Sequence, residues 1–200
     1  MICLKITEQT YKWNGSLTKR ASTKYIVLHH RAGNGDVQSI HTQHVNQGYT
    51  GIGYHVYVRR DGSVYRGRPI DTVGAHCIGV NNVSIGVCFE GNFENETMTA
   101  AQIKAGQELV SYLKGLYPSA EVKRHKELYN TACPGKNFPF EEIKKGIVTV
   151  AKYETANDIA WELNHVHFPI NEMGAFVKAL DEAKKKDSPL YWGYYKLVNK

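Results

Sequence analysis

The sequence predicts an α/β fold: a mixed β-sheet flanked by helices over residues 1–150, followed by a small all-helical unit over residues 151–200. Three observations predict it. Two short apolar runs rich in β-branched residues, Tyr25–Leu28 and Val83–Glu90, have the length and composition of buried strands. They alternate with stretches whose apolar residues recur at helical spacing, which is the pattern of a sheet covered on both faces. Beyond Ala151 no strand-like run remains, and helix-like segments follow one another.

Taken in order, Tyr25–Leu28 leads straight into His29, His30 and a glycine-containing loop, so polar groups stand at a strand end, where sites are built. Asp36 caps a helix running to about Gln47, with Val37, Ile40 and His44 on one face and Gly48 as its stop. Residues 53–69, GYHVYVRRDGSVYRGRP, read as a hairpin turning at Asp61-Gly62 and closed by Pro69. After the strand at Val83–Glu90, Thr97 or Thr99 caps a helix to Tyr117. Ile103, Leu109, Val110, Leu113 and Leu116 form its stripe, and Pro118 ends it. A short strand over Glu121–Arg124 precedes a polar loop, and Phe140–Val150 reads as helix. In the tail, residues 157–165, 171–186 and 188–198 read as helices, too short together to bury a core alone.

Composition narrows the class. At 200 residues, 42% hydrophobic and 22% charged, the chain is neither collagen, coiled coil nor disordered. No apolar run approaches the roughly 20 residues of a membrane span. The start, MICLKITEQTYKWNG, lacks the basic and apolar regions of an export signal, so residence in a reducing cytoplasm is expected for Cys3, Cys77, Cys88 and Cys133. The net charge is +6, and the seven lysines after residue 150 are balanced by seven acids, so the excess lies in residues 1–150. Such a balance fits an anionic partner or simply a solvated surface. A nucleic-acid partner is not expected, because no zinc-finger spacing or recognition motif accompanies the charge.

Among nine histidines, His29 stands at a strand end, and His125 with Cys133 brackets one loop. Zinc is held by imidazole and thiolate, and catalytic sites use three protein ligands. These three residues supply such a set, although spacing alone does not distinguish it from a core cysteine among scattered histidines.

Five ordered blocks carry more weight: YIVLHHRAG, GIGYHVYVRRDGSVYRGR, TVGAHCIGVNNVSIGVCFEGNF, TAAQ and RHKELYNTACPGKNF. Over about residues 20–147 the chain resembles the zinc-dependent N-acetylmuramoyl-L-alanine amidases of the phage-lysozyme and peptidoglycan-recognition superfamily. The resemblance implies zinc ligation by His29, His125 and Cys133, and a catalytic role for Tyr54 of GYH. It also places Thr131, two residues before the cysteine, where phage lysozymes often carry lysine. Some relatives carry a general-base glutamate at the position of Cys88; Glu90, two residues on and on the same strand face, is the candidate substitute, the other reading being a rim carboxylate. His76 and Asn81 fall where relatives contact substrate, and His30 faces away from His29. Cys77 and Cys88 are assigned to packing. Arg59, Arg60, Arg66 and Arg68 either hold peptide carboxylates or form a solvated edge.

The resemblance implies cleavage of the amide joining N-acetylmuramic acid to L-alanine in bacterial peptidoglycan by a phage or prophage endolysin, kept in the host cytoplasm until its release to the wall. The alternatives are a recognition module that binds peptidoglycan without cutting it and a cytosolic muropeptide-recycling amidase, which typically has aspartate at the Cys133 position. The aromatic run of the tail, Tyr191, Trp192, Tyr194 and Tyr195, suits wall targeting or packing, the latter on the main domain or on a second copy in a homo-oligomer.

Overall fold

A computed structural model describes residues 4–146; the expected tail unit, its oligomer contact and Cys3 lie outside these residues. The described chain is a three-layer α/β structure. Six strands, β1 (Ile6–Thr7), β2 (Tyr25–His30), β3 (Val56–Val58), β4 (Val64–Arg66), β5 (Ser84–Phe89) and β6 (Glu121–Arg124), form one sheet in the order β1-β4-β3-β5-β2-β6. Only the β3–β4 hairpin is antiparallel; the other pairings are parallel, so the sheet is mixed as expected.

The hairpin turns through three residues rather than two. Gly62 N–H donates to Arg59 O at 2.9 Å and Gly62 takes φ +83°, the left-handed position that closes a turn of this length. Pairing of β1 with β4, which covers the hairpin's outer edge, was not legible, because a two-residue strand has no periodicity to read.

Alternation along the strands sorts the layers. Ile26, Leu28, Val56, Val58, Ile85, Val87 and Phe89 pack against α2 (Ala100–Leu116) and α3 (Phe140–Lys144), where Leu109, Leu113 and Ile143 are fully buried. On the other face, Tyr57 and Cys88 pack with Val37 and Ile40 of α1 (Val37–Asn46). Asp36 caps α1 through Ser39 N, as its sequence indicates. Of the two threonines before α2 the structure selects Thr99, which forms a capping box with Gln102.

Two expectations are corrected. Leu116 does not join the apolar stripe but is 50% exposed, because the helix ends there. The helix beginning at Phe140 stops at Lys144, and Gly146 follows in the left-handed region at φ +67°.

Candidate metal centre

His29 lies near the carboxyl end of β2, the strand flanked by β5 and β6. Parallel register sets His29 opposite Cys88 of β5, and the pairing of Leu28 with Arg124 makes His125, the residue after β6, its neighbour on the other side. The His29 and His125 rings are 4.4 Å apart. Cys133 arrives from a loop that folds back on β6: Lys126 N–H donates to Cys133 O at 2.9 Å, and the Thr131 hydroxyl accepts from Cys133 N–H at 3.2 Å. Gly135 makes the return path feasible. Its φ is +102°, and a Cβ there would lie 2.4 Å from the Phe93 carbonyl carbon. The site therefore forms at the carboxyl ends of parallel strands, the usual place for one in open α/β sheets.

One ligand atom each from His29, His125 and Cys133 falls within 4.8 Å of the others. Cys133 Sγ stands 3.8 Å from His29 Nδ1 and accepts the His30 backbone N–H at 3.4 Å. Among the described residues the buried His125 Nε2 has no hydrogen-bond partner, so it is left without the contact that burial normally demands. Burial, and then His76 and His125 nearby, holds His29 well below the ordinary histidine range; burial lowers His125 as well. Both are thus neutral, the form that ligates metal. Burial also pushes the Cys133 thiol up to about 12, so a cation at the centre is what would make it a thiolate. Two neutral imidazoles, one of them with an unpartnered buried nitrogen, and one thiol sulfur are the donor set of a three-ligand zinc site.

Tyr54 packs its ring 5.2 Å from that of His29. The segment carrying it is tied to α1 from both sides: His41 Nδ1 accepts from Ile52 N–H at 3.2 Å, and His44 Nδ1 from Gly53 N–H at 3.0 Å. Burial, with Cys88 and Cys133 close by, raises the Tyr54 phenol well above its ordinary range. It therefore stays protonated and remains a donor. Among the described residues the Thr131 oxygen only accepts, from Cys133 N–H, which leaves its hydroxyl proton available to a ligand.

Three expectations change at this point. Glu90 is neither a rim carboxylate nor free to act as a base. It is 4% exposed, and its carboxylate accepts from Gly35 N–H at 3.1 Å, Arg60 N–H at 3.1 Å and Arg59 Nε at 3.2 Å. Burial opposes its charge, yet these donors outweigh burial and hold the carboxyl below the ordinary glutamate range. His76, expected at the substrate, is buried and also meets a candidate ligand, with Nδ1 3.0 Å from His29 Nε2. Asn81 turns its side-chain oxygen inward to the backbone N–H groups of His76 and Cys77, at 2.8 and 2.9 Å, which leaves its amide nitrogen as the group able to meet a ligand.

The four hairpin arginines all have partners within the chain, although only Arg68 is buried. Arg59 pairs with Glu90, Arg60 with Glu96 and Arg66 with Glu8, while Arg68 is buried and donates to the carbonyls of Ile52 and Val73. His30 points to the opposite face, as expected, and accepts Phe93 N–H. Cys77 and Cys88 are buried free thiols. Ser84 was missed, as was the part played by His41 and His44; a glycine inside the apolar run of β5, Gly86, was the available signal that something approaches that strand closely.

Beside the centre a cleft of about 220 Å³ is lined by His76, Asn81 and His125 and by the exposed side chains of Tyr49, Ile78 and Tyr129. Among the described residues no helix is long and apolar enough to cross a membrane.

The chain is similar to known proteins in sequence and in fold. The family described as N-acetylmuramoyl-L-alanine amidase matches residues 19–136. An endolysin of Enterobacteria phage K11 is 35% identical over 126 residues, 58% of this chain and 83% of the relative. Peptidoglycan-recognition protein SC2 of Drosophila melanogaster is 35% identical over 145 residues, 64% of this chain and 79% of that protein. Among solved structures, the endolysin N-acetylmuramoyl-L-alanine amidase LysCS from Clostridium intestinale superposes with a TM-score of 0.68 at 45% identity, covering 70% of this chain and 93% of that one. The family match spans more than half of the chain, and by it this chain belongs to the N-acetylmuramoyl-L-alanine amidase family.

Proposed function

We propose that the chain is a zinc-dependent amidase that hydrolyses the bond between the lactyl group of N-acetylmuramic acid and L-alanine in bacterial peptidoglycan, and that it serves as a phage or prophage endolysin. The observation that carries this reading is the convergence of His29, His125 and Cys133 within 4.8 Å at the carboxyl ends of β2 and β6. Relatives named as endolysins and as peptidoglycan-recognition proteins support the substrate.

In this reading His29, His125 and Cys133 hold the ion. Zinc bound there supplies a Lewis acid that polarises the scissile carbonyl and acidifies a water. Tyr54, protonated and packed against His29, donates to the oxygen on which negative charge develops. Thr131 offers a second donor from the Cys133 side. The aromatic and apolar walls of the cleft suit a sugar ring and the first stem residues, with the Asn81 amide nitrogen as a polar anchor. Residues 151–200 are proposed as the wall-targeting or oligomerisation unit.

The reaction is tested on purified cell walls. New alanine amino termini without new reducing sugars, abolished by a chelator and restored by zinc, are expected. Wall binding without release of either product would instead identify a recognition module.

A further inference from the structure

We propose that His76, backed by Ser84, is a positioning residue that sets the ring tautomer of His29 and so presents its bare Nδ1 towards Cys133. The proposal rests on the metal reading above. Its starting point is a chain of four polar groups that ends at a backbone carbonyl.

The Ser84 hydroxyl lies 2.7 Å from Val80 O. A carbonyl only accepts, so the hydroxyl proton points there. The Ser84 oxygen also lies 3.3 Å from His76 Nε2 and, with its own proton spent, can only accept from that nitrogen. His76 Nε2 therefore carries a proton. Both rings are buried, at 9% and 1% exposure for His76 and His29, and no carboxylate is bonded to either among the described residues. Each is neutral and carries one N–H. His76 Nδ1 is then an acceptor, and the group facing it at 3.0 Å, His29 Nε2, must be the donor. The proton of His29 thus sits on Nε2, and Nδ1, 3.8 Å from Cys133 Sγ, is bare.

The fold holds the His76 ring for this purpose. A Cβ on Gly86 would lie 2.5 Å from His76 Cγ, and one on Gly74 would lie 2.5 Å from His76 Cδ2, so the ring occupies a slot that only two glycines leave open. Asn81 pins the backbone of the same residue by accepting its N–H. Histidine ligands are commonly oriented by an acceptor on the second ring nitrogen, often a carboxylate. Here the acceptor is a second histidine, and the chain ends on Val80 without a charged group.

The test has two arms. In the metal-free protein, long-range ¹⁵N–¹H correlation spectra assign the ring tautomers, and Nε2–H forms are expected for both His29 and His76. A His29 ring protonated on Nδ1, or a doubly protonated His76, overturns the proposal. In the second arm, zinc affinity is measured by competition with a chromophoric chelator. His76→Asn sets a carbonyl oxygen near the Nδ1 position and is expected to stay within about threefold of wild type, whereas His76→Leu, which has no acceptor, is expected to lose about 10–100-fold. Equal affinity of the two variants overturns the proposal, and if His76→Leu fails to fold, the tautomers of the wild-type protein still decide. A wild-type chain that binds no zinc removes the metal reading alone, because the spectra report on the relay without metal.

Discussion

Replacing Glu90 separates a structural carboxylate from a catalytic one. Three N–H groups converge on it at 3.1–3.2 Å, two from the backbone of Gly35 and Arg60 and one from Arg59. Hydrogen bonds to a charged acceptor contribute about 1.5–3 kcal/mol each when buried. Gly35 and Arg59 are partly exposed, so water can replace some of this, and the sum for Glu90→Ala falls at about 3 kcal/mol. For a chain of this size that corresponds to a melting temperature roughly 6–12 °C lower. Glu90→Gln keeps the volume but turns an amide NH₂ towards donors, so a similar loss is expected.

The pH dependence follows from the sign of the shift. The folded-state pKa lies below the unfolded value of about 4.3, so the stabilisation is fully present above that value. It is lost as pH falls through the folded pKa. The difference in melting temperature between wild type and Glu90→Gln should therefore be constant near neutrality and shrink below about pH 4. Calorimetry across pH measures this, alongside turnover well below the melting temperature. Turnover of Glu90→Gln is expected within about twofold of wild type, since loss of a general base would cost about 10²–10⁴-fold. Unchanged stability with a hundredfold loss of turnover would refute the structural role and restore Glu90 as the base.

Four further outcomes are expected. One zinc should bind per chain, Cys133→Ser should weaken it by removing the thiolate, and full occupancy in His29→Ala, read by elemental analysis, would exclude the triad. Tyr54→Phe should lower turnover about 10–100-fold with zinc content and wall binding unchanged, because the phenol acts on developing charge; wild-type turnover would remove it from the mechanism. Thr131→Ala should cost about 1 kcal/mol in chemical denaturation by releasing Cys133 N–H, and Thr131→Ser should recover most of it. Truncation after Val150 should leave a folded, zinc-binding domain that cleaves soluble muropeptides but binds intact walls less tightly; undiminished wall binding would end the targeting role of the tail.

Much of the site was legible because its residues stand in locally readable places. His29 and His30 follow an apolar run, and period-two alternation sends them to opposite faces, which is how the structure places them. Tyr54 and Cys133 lie in blocks whose order and residue types carry the family resemblance. Glu90 was misjudged for a physical reason: alternation gives its face and says nothing of the donors around it. Two of its three partners, Arg59 and Arg60, lie where β3 runs into the hairpin turn, and the third, Gly35, lies in the loop after β2. The hairpin arginines were open for the same reason, as each meets a partner on a distant segment.

The sequence by itself determined the types of the elements from β2 to α3, the alternation of faces along each of these strands and the chemical kind of the three candidate ligands, because these depend on periodicities and residue chemistry within about twenty positions. Tertiary structure alone decided which groups meet. The order β5-β2-β6 makes Cys88 and His125 neighbours of His29, a loop closing from 104 residues away brings Cys133 to it, and the slot between Gly74 and Gly86 makes His76, which also lines the cleft, the partner of His29. Hydrogen bonds and ligand sets are satisfied at distances of a few ångströms, and strand order and register, which no local pattern encodes, set those distances.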